Sequence, residues 1–261
     1  MKNPSPKQIA ILAAQKAGTE LMKHFNKISR SLVKIKSKHE IITPADLAAE
    51  RIILSAIKKN FPSHRILSEE AGDNKKQSDY LWIIDPLDGT TNFAMGNPLF
   101  SVSIALAKKE EIIMALVYIP FLKDLYLAEK NKGAFLNGKK IYSSEENKIK
   151  KSFLTFCHGN NEASVKQAIH LYSKLKPLAR DLRQIGTAAL ETAWVARGKT
   201  EAIIIPGVNP WDVAAGALLV REAGGIVTDM TGRPWTIQSK GILASNKNIH
   251  PTLLKTIKKI K

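Results

Sequence analysis

A chain of 261 residues, 44% of them hydrophobic, is long enough to bury a large core, either one domain or two small ones sharing it. It has no run of about 18 apolar residues, which argues against a membrane-spanning helix and a membrane partner, and a single cysteine, Cys157, which excludes an intrachain disulfide and fits a reducing, cytoplasmic setting. The formal charge of +17 is compatible with a nucleic-acid partner or with a surface that attracts small anions. The lysines are scattered and not interleaved with aromatics, so nucleic acid is the less favoured primary partner.

The start, Met1-Lys2-Asn3-Pro4-Ser5-Pro6-Lys7, is polar and lacks the apolar stretch of a secretory signal. From Pro6 to about Phe25, a stripe of Ile9, Leu12, Ala13, Ala17, Leu21 and Phe25 predicts a helix. A second helix is expected from Thr43, a good N-cap, with Pro44 at its first position and Asp46 as capping-box acid. Its apolar side would use Leu47, Leu54 and Ile57, and Pro62 would stop it. Strands are expected at Arg65–Ser68, Tyr80–Ile84, Phe100–Ala107, Ile112–Tyr118 and Leu125–Ala128, and Asn137-Gly138 reads as a hairpin turn. The polar stretch Ser143–Lys151 marks a boundary between an N-terminal part (1–147) and a C-terminal part (148–261). Beyond it, helices near Glu162–Leu175, Thr187–Ala196 and Val213–Ala223 alternate with strands near Ala202–Ile205 and Ile226–Asp229, which argues for a layered α/β architecture.

The chemistry concentrates in Asp85-Pro86-Leu87-Asp88-Gly89-Thr90-Thr91-Asn92-Phe93, directly after the apolar run Leu81-Trp82-Ile83-Ile84. Carboxylates at the end of a buried strand need cations, and Mg²⁺ favours a few carboxylates together with substrate phosphate. Pro86-Leu87 reads as a tight turn that gathers Asp85, Asp88 and the Leu87 carbonyl, while Gly89-Thr90-Thr91 offers backbone N–H groups to a phosphate. A lone D-x-x-D would be a solvated turn. Two further acidic elements make the string more specific: Ser68-Glu69-Glu70 after another strand, and Pro210-Trp211-Asp212 before a helix beginning at Val213. Taken singly, Glu69 is a loop acid and Asp212 an N-cap.

Together with Thr43-Pro44-Ala45-Asp46, Gly186-Thr187-Ala188-Ala189, Trp211-Asp212-Val213-Ala214-Ala215-Gly216 and Glu222-Ala223-Gly224-Gly225, these elements resemble, in order, the signatures of the inositol monophosphatase family of lithium-sensitive, Mg²⁺-dependent phosphatases. The resemblance implies an αβαβα sandwich of two subdomains sharing one core, a homodimer, and hydrolysis of a phosphorylated polyol or sugar of the inositol 1-phosphate type. It implies two or three Mg²⁺ ions held by Glu69, Asp85, the Leu87 carbonyl, Asp88 and Asp212, with Glu70 in their surroundings. Thr90 would hold the attacking water and Asp46 would orient the Thr90 hydroxyl, so that Glu69, Thr90 and Asp46 form the catalytic group. Gly89 and Thr90 would bind phosphate oxygens, and Gly186, Thr187, Ala188 and Asp212 would line the substrate side. The reaction implied is direct in-line attack by metal-activated water, without a phosphoenzyme. His24, His39, His64, His158, His170 and His250 form no catalytic motif, in keeping with that.

The chain departs from the family pattern at Ile205, seven residues before Asp212, where the family usually carries a Glu that contacts the polyol. Histidinol phosphate and fructose 1,6-bisphosphate therefore stand as alternative substrates. Lys36 falls in Lys34–Lys38, where the family has a mobile loop over the site, although by itself it reads as a solvated surface lysine. Some bacterial members also bind transcription machinery, which makes a regulatory role the alternative of another class.

Overall fold

The computed structural model describes residues 4–27, 33–37 and 40–260. Lys38 and His39 lie outside the described residues, as do Met1, Lys2 and Asn3. The first helix, α1 (Pro6–His24), opens on a capping box in which Ser5 and Gln8 bond each other's backbone N–H. A short antiparallel hairpin, β1 (Lys34–Ser37) and β2 (Glu40–Ile42), leads into α2 (Pro44–Asn60). Thr43 and Asp46 form the expected capping box there. Both predicted apolar stripes need one correction: Leu12 and Leu47 are exposed, at 47% and 40%. With about 100° per residue, the inner face of α2 runs through Ala45, Ala49, Ile53 and Ile57, which leaves Leu47 outside.

Next come β3 (Arg65–Ser68), β4 (Gly72–Asp73), β5 (Tyr80–Asp88), the short α3 (Thr90–Ala94), β6 (Ser101–Lys108), β7 (Glu111–Ile119), β8 (Asp124–Glu129), β9 (Gly133–Leu136) and β10 (Lys139–Ile141). They form an eight-stranded sheet in the order β10-β9-β8-β7-β6-β5-β3-β4. The β9–β10 hairpin turns at Asn137-Gly138, both with positive φ, as the sequence predicts. After a polar connection carrying a single 3₁₀ turn at Ile149–Lys151 come β11 (Phe153–Phe156), α4 (Glu162–Leu175), β12 (Asp181–Arg183), α5 (Ala188–Ala196), β13 (Ala202–Pro206), α6 (Pro210–Glu222), β14 (Ile226–Thr228), β15 (Gly241–Ser245) and α7 (His250–Ile260). Their sheet runs β12-β11-β13-β15-β14. The β1–β2 hairpin, β4, β11, β12, β15 and α7 were not among the predicted elements.

Strand alternation sorts side chains into five layers. Trp82 and Ile84 of β5 face α1 and α2, whereas Leu81 and Ile83 face α5 and α6. In the second sheet, Ile203 and Ile205 face that same central helix pair, whereas Ile204 and Leu243 face α4 and α7. The result is the expected αβαβα sandwich, with α5 and α6 buried between two sheets. Both are apolar almost all round, as a helix covered on two sides must be. They approach closely because Gly216 lies against Thr192, where a Cβ would meet the Thr192 hydroxyl at 2.0 Å.

Candidate active site

Pro86-Leu87 is not a turn beyond a strand. Strand β5 continues to Asp88, and a bulge between Asp85 and Asp88 breaks its register with β6, where Asp85 faces Ser103 and Asp88 faces Ser101. The extra residue re-aims the chain at the sheet's end, so that Asp85 and Asp88 reach one cavity. Asp85 Oδ1 accepts the Leu87 N–H at 2.9 Å, and the one proton of the Thr90 hydroxyl has two acceptors in reach, the Leu87 carbonyl and Asp46 Oδ1, each at 3.0 Å. Gly89 follows with φ +90°, and a Cβ on it would meet the Thr187 hydroxyl at 2.5 Å, so the path from bulge to α3 requires glycine.

The cavity, about 300 Å³, is lined by Glu69, Asp85, Leu87, Asp88, Gly89, Thr90, Gly186, Ala188, Ile205 and Asp212, and by residues that sequence reasoning did not single out, Glu40, Asn160, Gln184 and Asn209 among them. A larger groove of about 740 Å³ between α1 and α2 carries Leu12, Lys16, Ile52 and Arg51 but no cluster of acids. Thr187 is predicted on the substrate side; its side chain is fully buried and donates to the Leu99 carbonyl at 2.7 Å. Asp212 is not the N-cap of α6. That helix starts three residues earlier than predicted, with Asn209 as N-cap, and Asp212 is the capping acid whose Oδ2 accepts the Asn209 N–H at 2.9 Å. Lys36 is not a free surface lysine: its Nζ lies 2.9 Å from Glu70 Oε1 and 3.3 Å from Glu69 Oε1.

Helix N-termini hold the acids in place. Asp88 accepts the Ala188 and Ala189 N–H groups of α5 at 3.2 and 2.8 Å, and the Ser101 hydroxyl at 3.2 Å. Asp46 Oδ2 accepts both the N–H and the hydroxyl of Thr43, at 2.9 and 2.5 Å, while its Oδ1 lies 3.0 Å from the Thr90 hydroxyl. Sequence reasoning missed two residues that join the halves of the site. Asn92 Nδ2 lies 2.8 Å from the Leu99 carbonyl, 2.9 Å from that of Ile185 and 3.0 Å from the Thr187 hydroxyl. Glu191, buried in α5, accepts the Gly186 and Thr187 N–H groups at 3.1 and 3.3 Å. The available signal for Glu191 was a lone acid in an otherwise apolar helix.

Burial pushes Glu69 and Asp88 up to about 7 and Asp46 up to about 6. Asp85 is raised well above the carboxylate range, first by burial and then by the charges of Glu69, Asp88 and Asp212, and Asp212 is raised in the same way. Lys36 behaves oppositely. Burial alone would lower it, but the hydrogen bond to Glu70 and the two glutamate charges hold it above its ordinary value. Asp85, Asp88 and Asp212 are each raised by the charges of neighbouring acids, Glu69 among them, and such a cluster does not ionise fully without further positive charge.

Among the described residues no three His, Cys, Asp or Glu side chains close into a ready metal cage. That does not argue against Mg²⁺, which keeps several waters and takes only a few carboxylates beside substrate oxygens. The donors at hand are carboxylates and the Leu87 carbonyl, hard oxygens that suit such an ion. The close-set acids, with Asp85 and Asp88 buried, are the observation that fits one. No helix is long and apolar enough to cross a membrane among the described residues.

The fold and this arrangement have clear counterparts. Residues 5–261 match the model of the inositol monophosphatase family. The chain is 38% identical over 248 residues to the Nus factor SuhB of Salmonella typhimurium, covering 94% of this chain and 93% of that protein. It is 36% identical over 251 residues to a fructose-1,6-bisphosphatase/inositol-1-monophosphatase of Thermotoga maritima, covering 96% and 95%. The crystal structure of the extragenic suppressor protein suhB from Bartonella henselae superposes with a TM-score of 0.92 at 33% identity, covering 97% of this chain and 98% of that one. On the sequence match and the shared fold together, the chain belongs to the inositol monophosphatase family.

Proposed function

We propose that the protein is a Mg²⁺-dependent phosphatase that hydrolyses a phosphorylated polyol or sugar. The observation that carries this reading is the set of acids around one cavity, Asp85 and Asp88 buried and Glu69 and Asp212 half-buried, next to the Thr90–Asp46 pair. Glu69, Asp85, the Leu87 carbonyl, Asp88 and Asp212 would hold the metal. When bound there, Mg²⁺ supplies positive charge for the phosphate oxygens and makes water a better nucleophile.

The chain's own part is positioning. Asp46, anchored by two hydrogen bonds from Thr43 that counter the upward push of burial, accepts the Thr90 hydroxyl. That leaves a lone pair on the Thr90 oxygen to accept a hydrogen bond from the attacking water, one proton of which ends on the leaving alcohol oxygen through solvent. The Gly89 and Thr90 N–H groups steady the phosphate oxygens. Water oxygen bonds to phosphorus as the bond from phosphorus to the alcohol oxygen breaks. The products are the alcohol and inorganic phosphate.

Inositol 1-phosphate is the leading substrate. Histidinol phosphate and fructose 1,6-bisphosphate remain alternatives because Ile205 offers no hydrogen bond to a hydroxyl. Phosphate release from these three and from glycerol 2-phosphate, with Mg²⁺ and then with EDTA, tests the reading. Release from none of them, or full activity in EDTA, refutes it. A regulatory reading draws on relatives named Nus factor and on the charge of +17. Polymerase pull-down across a salt series tests it, and binding lost at moderate salt without an effect on transcription removes it.

A further inference from the structure

The phosphate end of the cavity is crowded with acids, but the β13 position where the family has its polyol contact is apolar. Ile205 stands there, and Ala188 and Gly186 add no polar side chain, while Gln184 and Asn209 are polar residues of the same lining. Ile205 is fixed there because it is a core residue, 2% exposed and packed among the central helices.

Two half-buried polar side chains close this gap from different parts of the chain. Asn160 follows β11 in a segment pressed against the end of β13. The Gly159 N–H donates to the Pro206 carbonyl at 2.9 Å, and a Cβ on Gly159 would meet the Gly207 carbonyl at 1.9 Å. The Ser164 hydroxyl, in the first turn of α4, donates to the Gly159 carbonyl at 2.8 Å. Asn160 is thus held beside Ile205 and Pro206. From that place its Nδ2 donates to Glu40 Oε1 across 120 residues of sequence. Glu40 comes from β2 of the hairpin on the other side of the cavity and lies near enough for its charge to act on Asp212.

We infer that Glu40, held in place by Asn160, is the specificity-determining residue for the alcohol half of the substrate, and that it selects leaving alcohols bearing free hydroxyl groups. The polyol contact has moved from the β13 position, where Ile205 stands, to the β1–β2 hairpin. Asn160 donates to Glu40 Oε1 and the Ser37 hydroxyl lies 3.5 Å from Oε2, contacts that anchor the carboxylate at the cavity wall and leave it lone pairs to accept hydroxyl protons. Asn160 itself is a positioning residue. The inference rests on the hydrolase reading and adds the origin of its selectivity.

The test compares two esters, the best polyol phosphate of the substrate screen and p-nitrophenyl phosphate, whose leaving group has no further hydroxyl. Glu40→Ala should raise KM for the polyol ester about ten-fold, the size expected for losing a hydrogen bond to a charged group, with kcat changed far less. The ratio of kcat/KM between the two esters should fall by a similar factor. Glu40→Gln, which keeps an acceptor oxygen, should recover part of the loss. Asn160→Ala should shift KM in the same direction by a smaller factor. The Mg²⁺ concentration for half-maximal activity should stay put in Asn160→Ala, which keeps the Glu40 charge that acts on Asp212. Equal losses on both esters, no loss on either, or a moved Mg²⁺ midpoint in Asn160→Ala overturns the inference. So does a wild-type protein that cleaves only the aryl ester. A wild-type protein that cleaves neither ester overturns the hydrolase reading and this inference with it.

Discussion

The two ends of the cavity are built by different means. At the phosphate end, Asp85, Asp88 and Thr90 sit within six consecutive residues, on a strand bulge that runs into a helix start. At the alcohol end, Glu40, Asn160 and Ile205 come from a hairpin, a loop and a strand far apart in the chain. The first arrangement is stiff and specifies the reaction, because a two-residue shift anywhere in it would separate the acids. The second can change one contributor at a time. A family can therefore keep its chemistry while its substrates vary, and the absence of a glutamate at position 205 need not mean that polyol recognition is lost.

The largest effect should come from breaking the stiff end. Asp88→Asn keeps the side chain's size but removes the charge and one of the two oxygens that accept from α5, and should lower phosphate release more than 100-fold. An unchanged circular dichroism spectrum would show that the fold survives, and near-normal turnover would remove Asp88 from the site. Thr90→Ala is expected to lower kcat by about 10- to 100-fold, with Thr90→Ser restoring most of it, since only the hydroxyl that bonds Asp46 matters. If Ser fails to rescue, Thr90 contributes shape and not its hydroxyl.

Gly89→Ala sharpens the contrast at the backbone level. With φ +90° and a Cβ 2.5 Å from the Thr187 hydroxyl, it should cost about 1–3 kcal/mol and lower Tm by roughly 3–8 °C, read by calorimetry. A Tm within a degree of wild type would show that the bulge tolerates a side chain. The smallest effect lies outside the cavity. His250, bonded to Ser245 and Thr228, is held down to about 4 by burial, so it stays neutral in the fold while the unfolded chain takes up a proton near 6.5. Its share of stability is complete above about pH 6.5 and is lost as pH falls toward 4, on the order of 2 kcal/mol. Denaturant melts of the wild type and His250→Gln across that range should show a shallower decline in the variant.

Much of the phosphate end was legible because its signals are local. A capping box needs residues three apart, and Thr43 with Asp46 supplied one whose acid also serves Thr90. The αβαβα layering was legible only as far as periodicity carries. The helices α5 and α6 are apolar on nearly every side, and periodicity alone cannot say that two sheets enclose them. The strand readings also stopped where the pattern broke: the run ending at Ile84 continues through the bulge to Asp88, because pairing with β6 resumes at Ser101.

What the sequence determined by itself were the elements governed by near neighbours: the stripe of α1 from Pro6, the capped start of α2, the Asn137-Gly138 hairpin, and the acids carried at strand ends. Only the tertiary structure decided that Leu12 and Leu47 face outward, that Asp88 meets N–H groups 100 and 101 residues away on α5, and that Glu40 meets Asn160. The physical reason is that turn, cap and strand preferences are energies of a few adjacent residues. Which carboxylate meets which distant amide follows from how five layers stack, and no local pattern encodes that pairing.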